Sequence, residues 1–207
     1  MSPEPVTAEL TYQRLKLDVM SGRFRPGTPV VSHIIAQEFG TSISPVRDAM
    51  QRLVAERLLD YQTGGGFEAP HFAARALGDL YAWHRDVVRL AIRHRDPDAD
   101  FEDLLPRLLK LRDDDPLAVV QATTDLFAAI GHASRNAEHG AAIEAIGSRL
   151  YIARLHESGL GERRRELVAV WNALTGGPVS AAIEAIRAYH RRRLRRVAAI
   201  VRAIYVP

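Results

Sequence analysis

The 207-residue sequence predicts a mainly α-helical protein, with an N-terminal winged helix-turn-helix over residues 1–72 and an all-helical bundle over residues 73–207. Three observations carry that prediction. Residues 31–54, VSHIIAQEFGTSISPVRDAMQRLV, contain an apolar-periodic helix, a glycine break and a second helix opened by Ser-x-Ser-Pro. The stretch LLDYQTGGGFEAP places strand-prone residues on both sides of three glycines. Beyond Pro70 the texture changes to Ala, Leu and Arg at helical spacing, with no convincing strand.

Taken in order, helices are expected over roughly residues 8–21 and 30–39, and a third is expected to begin at Ser44. Ser44 is a good N-cap and Pro45 suits the first helical turn, so the dipole's positive end is expected there. Within Ser44 to Arg57, Val46, Ala49, Met50, Leu53 and Val54 recur at steps of three and four and form one apolar stripe. Ser44, Arg47, Asp48 and Gln51 fall on the opposite face. Gly64, Gly65 and Gly66 permit the positive φ values of a tight reversal, so Leu58–Gln62 and Phe67–Ala69 are expected to pair as a short hairpin, the wing. Breaks at Arg95–Ala99, Asp113–Pro116, Asn136, Ser158–Gly161 and Gly176–Pro178 divide the remainder into six or seven helices.

Composition narrows the function classes. Hydrophobic residues make up 47% and charged residues 26%, the balance of an ordinary globular protein. The sequence has no cysteine, which excludes disulfides, thiolate nucleophiles and thiolate metal sites. The start MSPEPVTAEL shows neither a basic n-region nor an apolar h-region, and no run is apolar enough to cross a bilayer. A cytoplasmic location with no membrane partner is expected. The sequence pI of 9.5 suggests nucleic acid, yet residues 1–72 hold seven Arg plus Lys against eight Asp plus Glu. The basic excess lies instead in Arg187–Arg202, which holds seven arginines and reads as a solvated helix face.

Two short helices joined by a tight turn form a shape that fits a DNA major groove. A helix N-terminus pointing outward beside an arginine is suited to phosphates and base edges: Arg47 for guanine or a phosphate, Ser42 and Ser44 as donors to phosphates. A lone surface arginine would carry no such meaning. The preceding helix, the Gly40 turn and the glycine hairpin supply the context, and double-stranded DNA is the expected partner.

With these residues in place, residues 12–70 resemble the winged helix-turn-helix of GntR-type bacterial transcription regulators. The matching features are Gly27 after Arg23-Phe24-Arg25, then Ala36, Gly40, Ser42, the string Pro45-Val46-Arg47-Asp48-Ala49, Leu53 and the glycine wing. The remainder is similar to the ligand-sensing domain of the FCD, or FadR-like, branch. The resemblance implies DNA contacts at His33, Ser42, Ile43, Ser44, Arg47, Thr63 and Gly64; Gln51 on the outer face and Gly65 in the wing join them. His33 and Ile43 stand where arginine is common in the family. Losing two cations is expected to lower the salt dependence of binding, while Ile43 suits a thymine methyl.

In family members with a metal in the sensing domain, the resemblance implies an Asp and a His four apart and two later histidines. The corresponding positions here are Thr124, Ala128, Leu167 and His190. One imidazole cannot hold a divalent ion, so no metal is expected. His190 lies on the stripe Ile183, Ile186, Leu194, Val197 and Val201, and His84 lies among Leu77, Leu80, Tyr81, Val87 and Val88. Inward histidines are either packed core or ligand contacts. On the second reading, His84, Thr124, Trp171 and His190 converge on a cavity for an organic effector. Ala128 and Leu167 would make that cavity apolar, suited to an effector less charged than a simple carboxylic acid.

Enzyme signatures are absent: no His-x-x-x-His, nucleophile elbow or phosphate-binding glycine loop occurs. Asp113, Asp114 and Asp115 read as a helix end and loop, solvated and unpaired. The sequence therefore predicts a ligand-responsive transcription regulator that acts as a homodimer, in most such proteins as a repressor on a near-palindromic operator. Two alternatives stay open: a metal-dependent or small-molecule-binding helical enzyme with an accessory winged domain, and a regulator whose bundle only dimerises.

Overall fold

A computed structural model describes residues 5–206. Its contacts separate two units, one ending at Phe72 and the next beginning at Ala73.

The first unit contains helices α1 (Pro5–Met20), α2 (Ser32–Phe39) and α3 (Ile43–Ala55), with strands β1 (Pro29–Val30), β2 (Asp60–Tyr61) and β3 (Phe67–Glu68). The strands form an antiparallel sheet in the order β1-β3-β2, with Val30 and Tyr61 both opposite Phe67. The expected hairpin is present. The third strand is a correction, because residue 30 was expected to begin a helix: Pro29 and Val30 are extended, and α2 starts at Ser32. A proline disfavours helix at the residue before it and supplies no N–H, so Pro26 and Pro29 hold this segment out of the helix. Leu15, Ile35, Val46, Met50, Leu53, Leu59 and Phe67 form the core of the unit.

Gly27 stands at φ +75°, where its N–H donates to the Ala69 carbonyl at 2.8 Å. A Cβ added there would lie 2.3 Å from the His71 ring. Gly27→Ala is accordingly expected to lower unfolding free energy by about 1–2 kcal/mol, partly from left-handed backbone strain and partly from displacement of His71. Urea denaturation measures the loss; an unchanged midpoint would show that the turn relaxes freely.

The second unit contains α4 (Ala74–Arg93), α5 (Leu105–Lys110), α6 (Pro116–His132), α7 (Ala137–Leu155), α8 (Arg163–Gly176) and α9 (Val179–Tyr205), with short 3-10 turns at Glu102–Leu104 and Ser158–Leu160. The fold is therefore mainly α, as the sequence predicts. The breaks fall at the positions that turn chemistry marks, and Asn136 caps α7 through its side chain to the Glu138 N–H. The aspartate run is not unpaired. Asp115 caps α6 by accepting from Ala118 N at 3.0 Å, Asp113 accepts from Arg164 N at 2.8 Å, and Asp114 pairs with Arg112. All three carboxylates are exposed, and Asp113 and Asp115 serve helix starts, where main-chain N–H groups lack partners of their own. Gly131 and Gly140 let α6 and α7 cross in direct backbone contact: a Cβ on Gly131 would lie 2.8 Å from the Gly140 Cα. No helix is long and apolar enough to cross a membrane among the described residues.

Candidate functional site

The reading helix is built from its turn. Gly40 ends α2 in the left-handed conformation, φ 65° and ψ 34°, and Thr41 N donates back to the Ala36 carbonyl at 3.0 Å. The chain then extends at Ser42, φ −77° and ψ 165°, which is the N-cap of α3. The N-cap is thus Ser42 rather than the expected Ser44, two residues earlier, and Ile43 and Ser44 already lie inside the first turn. Proline lacks an N–H, which costs nothing anywhere in a first turn, so Pro45 is accommodated at the third helical position. Ser42 makes no side-chain cap bond, leaving the N-terminal N–H groups without that partner.

Pro45, Val46, Ala49, Met50 and Leu53 are buried against the unit's core. Ser42, Ile43, Ser44, Arg47, Asp48 and Gln51 are all exposed on the other side. His33, at the second position of α2, is exposed as well. At the wing tip Thr63 is exposed, and Gly64 and Gly65 take φ values of 96° and 100° with open space around them.

The charges decide which cations are available. Arg23 is tied to Asp18 and Glu38, Lys16 to Glu56, and Arg52 to Glu9 while lying 3.5 Å over the Tyr12 ring. Arg14 stacks on Phe39 at 4.0 Å. Arg47 has no ion pair or hydrogen bond with any described residue. Most of the unit's basic side chains are therefore spent internally, and the cation on the reading face of α3 is not.

In the bundle, the structure brings two of the expected effector residues into direct contact. His84 on α4 and His190 on α9 are fully buried, with His84 Nδ1 2.8 Å from His190 Nε2. His190 Nδ1 lies 2.8 Å from the Ile186 carbonyl, an acceptor only, so this nitrogen carries the hydrogen. His190 Nε2 must then accept, and His84 Nδ1 must donate. That leaves His84 Nε2 as an acceptor facing Arg154 Nη2 at 3.4 Å. With both rings neutral, this network assigns one tautomer to each. Burial, followed by the nearby Arg154 and His190, pushes His84 well below its usual pKa. Burial brings His190 down to about 3, despite the opposing Ile186 carbonyl. The Phe127 ring meets His84 edge-on at 4.6 Å.

The other expected positions are not brought into this pair by any hydrogen bond. Thr124 is half-buried and its hydroxyl donates to the Val120 carbonyl one turn back. Ala128 is half-buried and Leu167 is buried. Trp171 donates its indole N–H to the Phe101 carbonyl at 2.7 Å and lines a separate hollow of about 210 Å³ with Arg95, Leu174 and Thr175. The donor set at the family's metal positions does not fit a metal: Thr124 is turned to backbone, Ala128 and Leu167 carry no donor, and both nitrogens of His190 are engaged. Among the described residues no group of three or more His, Cys, Asp or Glu side chains is arranged to hold an ion.

Sequence reasoning missed the buried arginines. Arg193, within the run taken for a solvated face, is 1% exposed, and it binds Glu157 through Nε and Nη2 and Glu166 through Nη1. Arg187 and Arg191 pair with Glu184, and Arg192 with Glu166, so much of that run is neutralised. Arg154 is 2% exposed. The signal was periodicity: Arg193 follows Ile186 and His190 on the apolar stripe, and Arg154 follows Ile143, Gly147 and Leu150 on theirs.

Comparison with known proteins agrees with this geometry. Residues 7–68 match the family model for bacterial regulatory proteins of the gntR family. The chain is 31% identical over 93 residues to the HTH-type transcriptional regulator YdhC of Bacillus subtilis (strain 168), covering 45% of this chain and 42% of that one. It is 28% identical over 119 residues to the HTH-type transcriptional regulator McbR of Escherichia coli (strain K12), covering 55% and 54%. The matches thus span about half the length of these relatives. The solved structure of E. coli McbR/YncC shares the fold, with a TM-score of 0.74 at 20% identity over 93% of this chain and 97% of that one. These relatives are named as transcription regulators, and the first unit of this chain is similar to the DNA-binding winged helix of the gntR family of bacterial regulatory proteins.

Proposed function

We propose that the protein is a ligand-responsive transcription regulator of the FCD branch, which binds a near-palindromic operator as a homodimer in the cytoplasm and acts as a repressor. The observation that carries this reading is the unpaired Arg47 on the exposed face of α3, beside a helix N-terminus that no side chain caps. Arg47 takes a guanine edge or a phosphate. Ser42 and Ser44 donate to phosphates, and Ile43, 47% exposed, offers apolar surface to a thymine methyl. His33, Gln51 and the tip Thr63-Gly64-Gly65 complete the face. With few free cations, affinity rests on two such faces acting together, which a two-fold dimer supplies. Support for a second copy comes from the outer side of α4, where Trp83 is 54% and Leu90 39% exposed, seven residues apart.

The bundle is the sensing unit. An effector shifts operator affinity only if it prefers one dimer arrangement over another. The decisive experiment selects bound DNA from a random pool and then measures affinity for the selected site by fluorescence anisotropy. Arg47→Ala is expected to weaken specific binding about 10- to 100-fold, the range of one good base contact. Unchanged affinity would remove α3 as the reading helix.

A further inference from the structure

The seven arginines between Arg187 and Arg202 divide into two groups. The first four are spent: Arg187 and Arg191 on Glu184, Arg192 on Glu166 and the carbonyls of Leu160 and Gly161, and Arg193 on Glu157 and Glu166. Past residue 193 the pairing stops. Arg195, Arg196 and Arg202 are exposed and make no ion pair or side-chain hydrogen bond with any described residue. Arg195 and Arg202, seven positions apart, share one line along α9 and lie opposite the buried stripe Arg193, Ile200 and Ile204, with Arg196 on its flank.

The last turns of α9 lie beside the first turns of α4. His84 meets His190, and Tyr81 and Arg193 meet on Glu157, so a step back along α4 is a step forward along α9 and the two helices run antiparallel. At this end α4 contributes Arg75 and Asp79, both exposed, whose opposite charges cancel. The three α9 arginines are left uncompensated there. The chain also enters the bundle at this end, since α4 starts at Ala74 and the winged unit ends at Phe72.

The winged unit has the opposite balance. The chain carries a net +3, yet residues 1–72 hold seven bases against eight acids, so residues 73–207 carry +4. Phosphate neutralisation supplies essentially all of the sequence-independent affinity for DNA, and each cation that meets a phosphate releases counterions. A reading unit with net negative charge and most of its cations tied internally generates little of that attraction by itself.

We propose that Arg195, Arg196 and Arg202 form a second DNA contact, made by the bundle to the phosphate backbone without reading sequence. The winged unit selects the site, and the end of α9 adds attraction that the winged unit lacks. This inference rests on the reading of the protein as a DNA-binding regulator.

The test uses the full chain, the selected operator and a scrambled duplex of equal length, with affinity followed by fluorescence anisotropy between about 50 and 200 mM salt. For the triple variant Arg195→Gln, Arg196→Gln, Arg202→Gln, the slope of log K against log[salt] is expected to shrink by about 2–3 per bound chain, roughly one for each arginine. Affinity for the operator and for the scrambled duplex is expected to fall by the same factor, because phosphate contacts carry no sequence information. The matching Lys triple is expected to keep most of the slope. A second triple, Arg165→Gln, Arg187→Gln, Arg191→Gln, removes the same charge from exposed arginines that already pair with Glu162 and Glu184, and is expected to leave the slope unchanged. Single Arg195→Gln and Arg202→Gln variants each report a change of about one, should the triple fold poorly. The proposal is overturned if the α9 variants keep the wild-type slope, if the second triple lowers it equally, or if the loss is confined to the operator. Weakened operator binding by Arg47→Ala alongside intact binding by the α9 variants would remove this contact alone, whereas unchanged binding by Arg47→Ala would remove the reading on which it rests.

Discussion

Glu157→Gln is expected to lower the unfolding free energy by about 3–5 kcal/mol, the usual cost of breaking a buried ion pair from one side. Glu157 is 3% exposed and its two oxygens serve different helices: Oε1 accepts from Tyr81 on α4, and Oε2 takes Nε and Nη2 of Arg193 on α9 at 3.1 and 2.9 Å. Arg193 also reaches Glu166 on α8 and lies 3.5 Å over the Tyr189 ring. Removing the charge leaves Arg193 with half its compensation and turns two amide hydrogens toward a guanidinium or a phenol. Urea denaturation measures the loss. The cycle with Arg193→Met separates charge from packing: once Glu157 is neutral, removing the guanidinium is expected to cost much less than it does in the wild type. Additive losses would mean that the network contributes through packing alone.

Acid is expected to destabilise the bundle well before the carboxylates titrate. His84 and His190 are held neutral in the folded protein, His190 down to a pKa of about 3, whereas an unfolded histidine takes up its proton near 6.5. Below pH 6.5 the unfolded state binds protons that the native state refuses, so stability falls as pH falls, at about 1.4 kcal/mol per pH unit for each ring. Between pH 6.5 and 5 the two rings together account for about 3 kcal/mol, because the slope reaches its full value only once the unfolded rings are mostly protonated. The environment gives no relief, since Arg154 from α7, Arg85 from α4 and Arg193 from α9 all raise the cost of a further positive charge. Chemical denaturation at pH 7.5, 6.5, 5.5 and 5 reads the slope, and the double variant His84→Gln, His190→Gln is expected to flatten most of it. A wild-type slope of zero in that window would mean that the rings are already charged or solvated.

What could be read in the sequence, and what could not, follows from the range of the interactions. Gly40 and Gly64–Gly66 announce their turns because positive φ is a property of one residue. The apolar stripe from Val46 to Leu53 places Arg47 and Gln51 outward because helical periodicity is local. The strand at Pro29–Val30 has no such signature. It exists only because β3, nearly forty residues on, presents a free edge to it. The histidines show the same division: their inward direction is written in the spacing of each helix, but their contact spans 106 residues of sequence and is made by tertiary packing. Arg193 sat on an apolar stripe and was still misread as part of a solvated face. Residue type outweighed position, and the carboxylate that makes burial of Arg193 tolerable lies 36 residues away. Trp171 was expected to converge with the histidines on one cavity, whereas its indole N–H is claimed by Phe101.

The crossing of Gly131 and Gly140 has a mechanical meaning. Where two helices touch through side chains, small rotamer changes let them move nearer or farther, and the gap is adjustable. Here main chain rests on main chain, and neither helix can be drawn closer without atoms overlapping. The α6–α7 pair therefore has a fulcrum: it can rock about this point but cannot be compressed at it. Any tightening of the bundle must be absorbed by the helices on the other side, α4 and α9, whose packed surfaces include the two histidines.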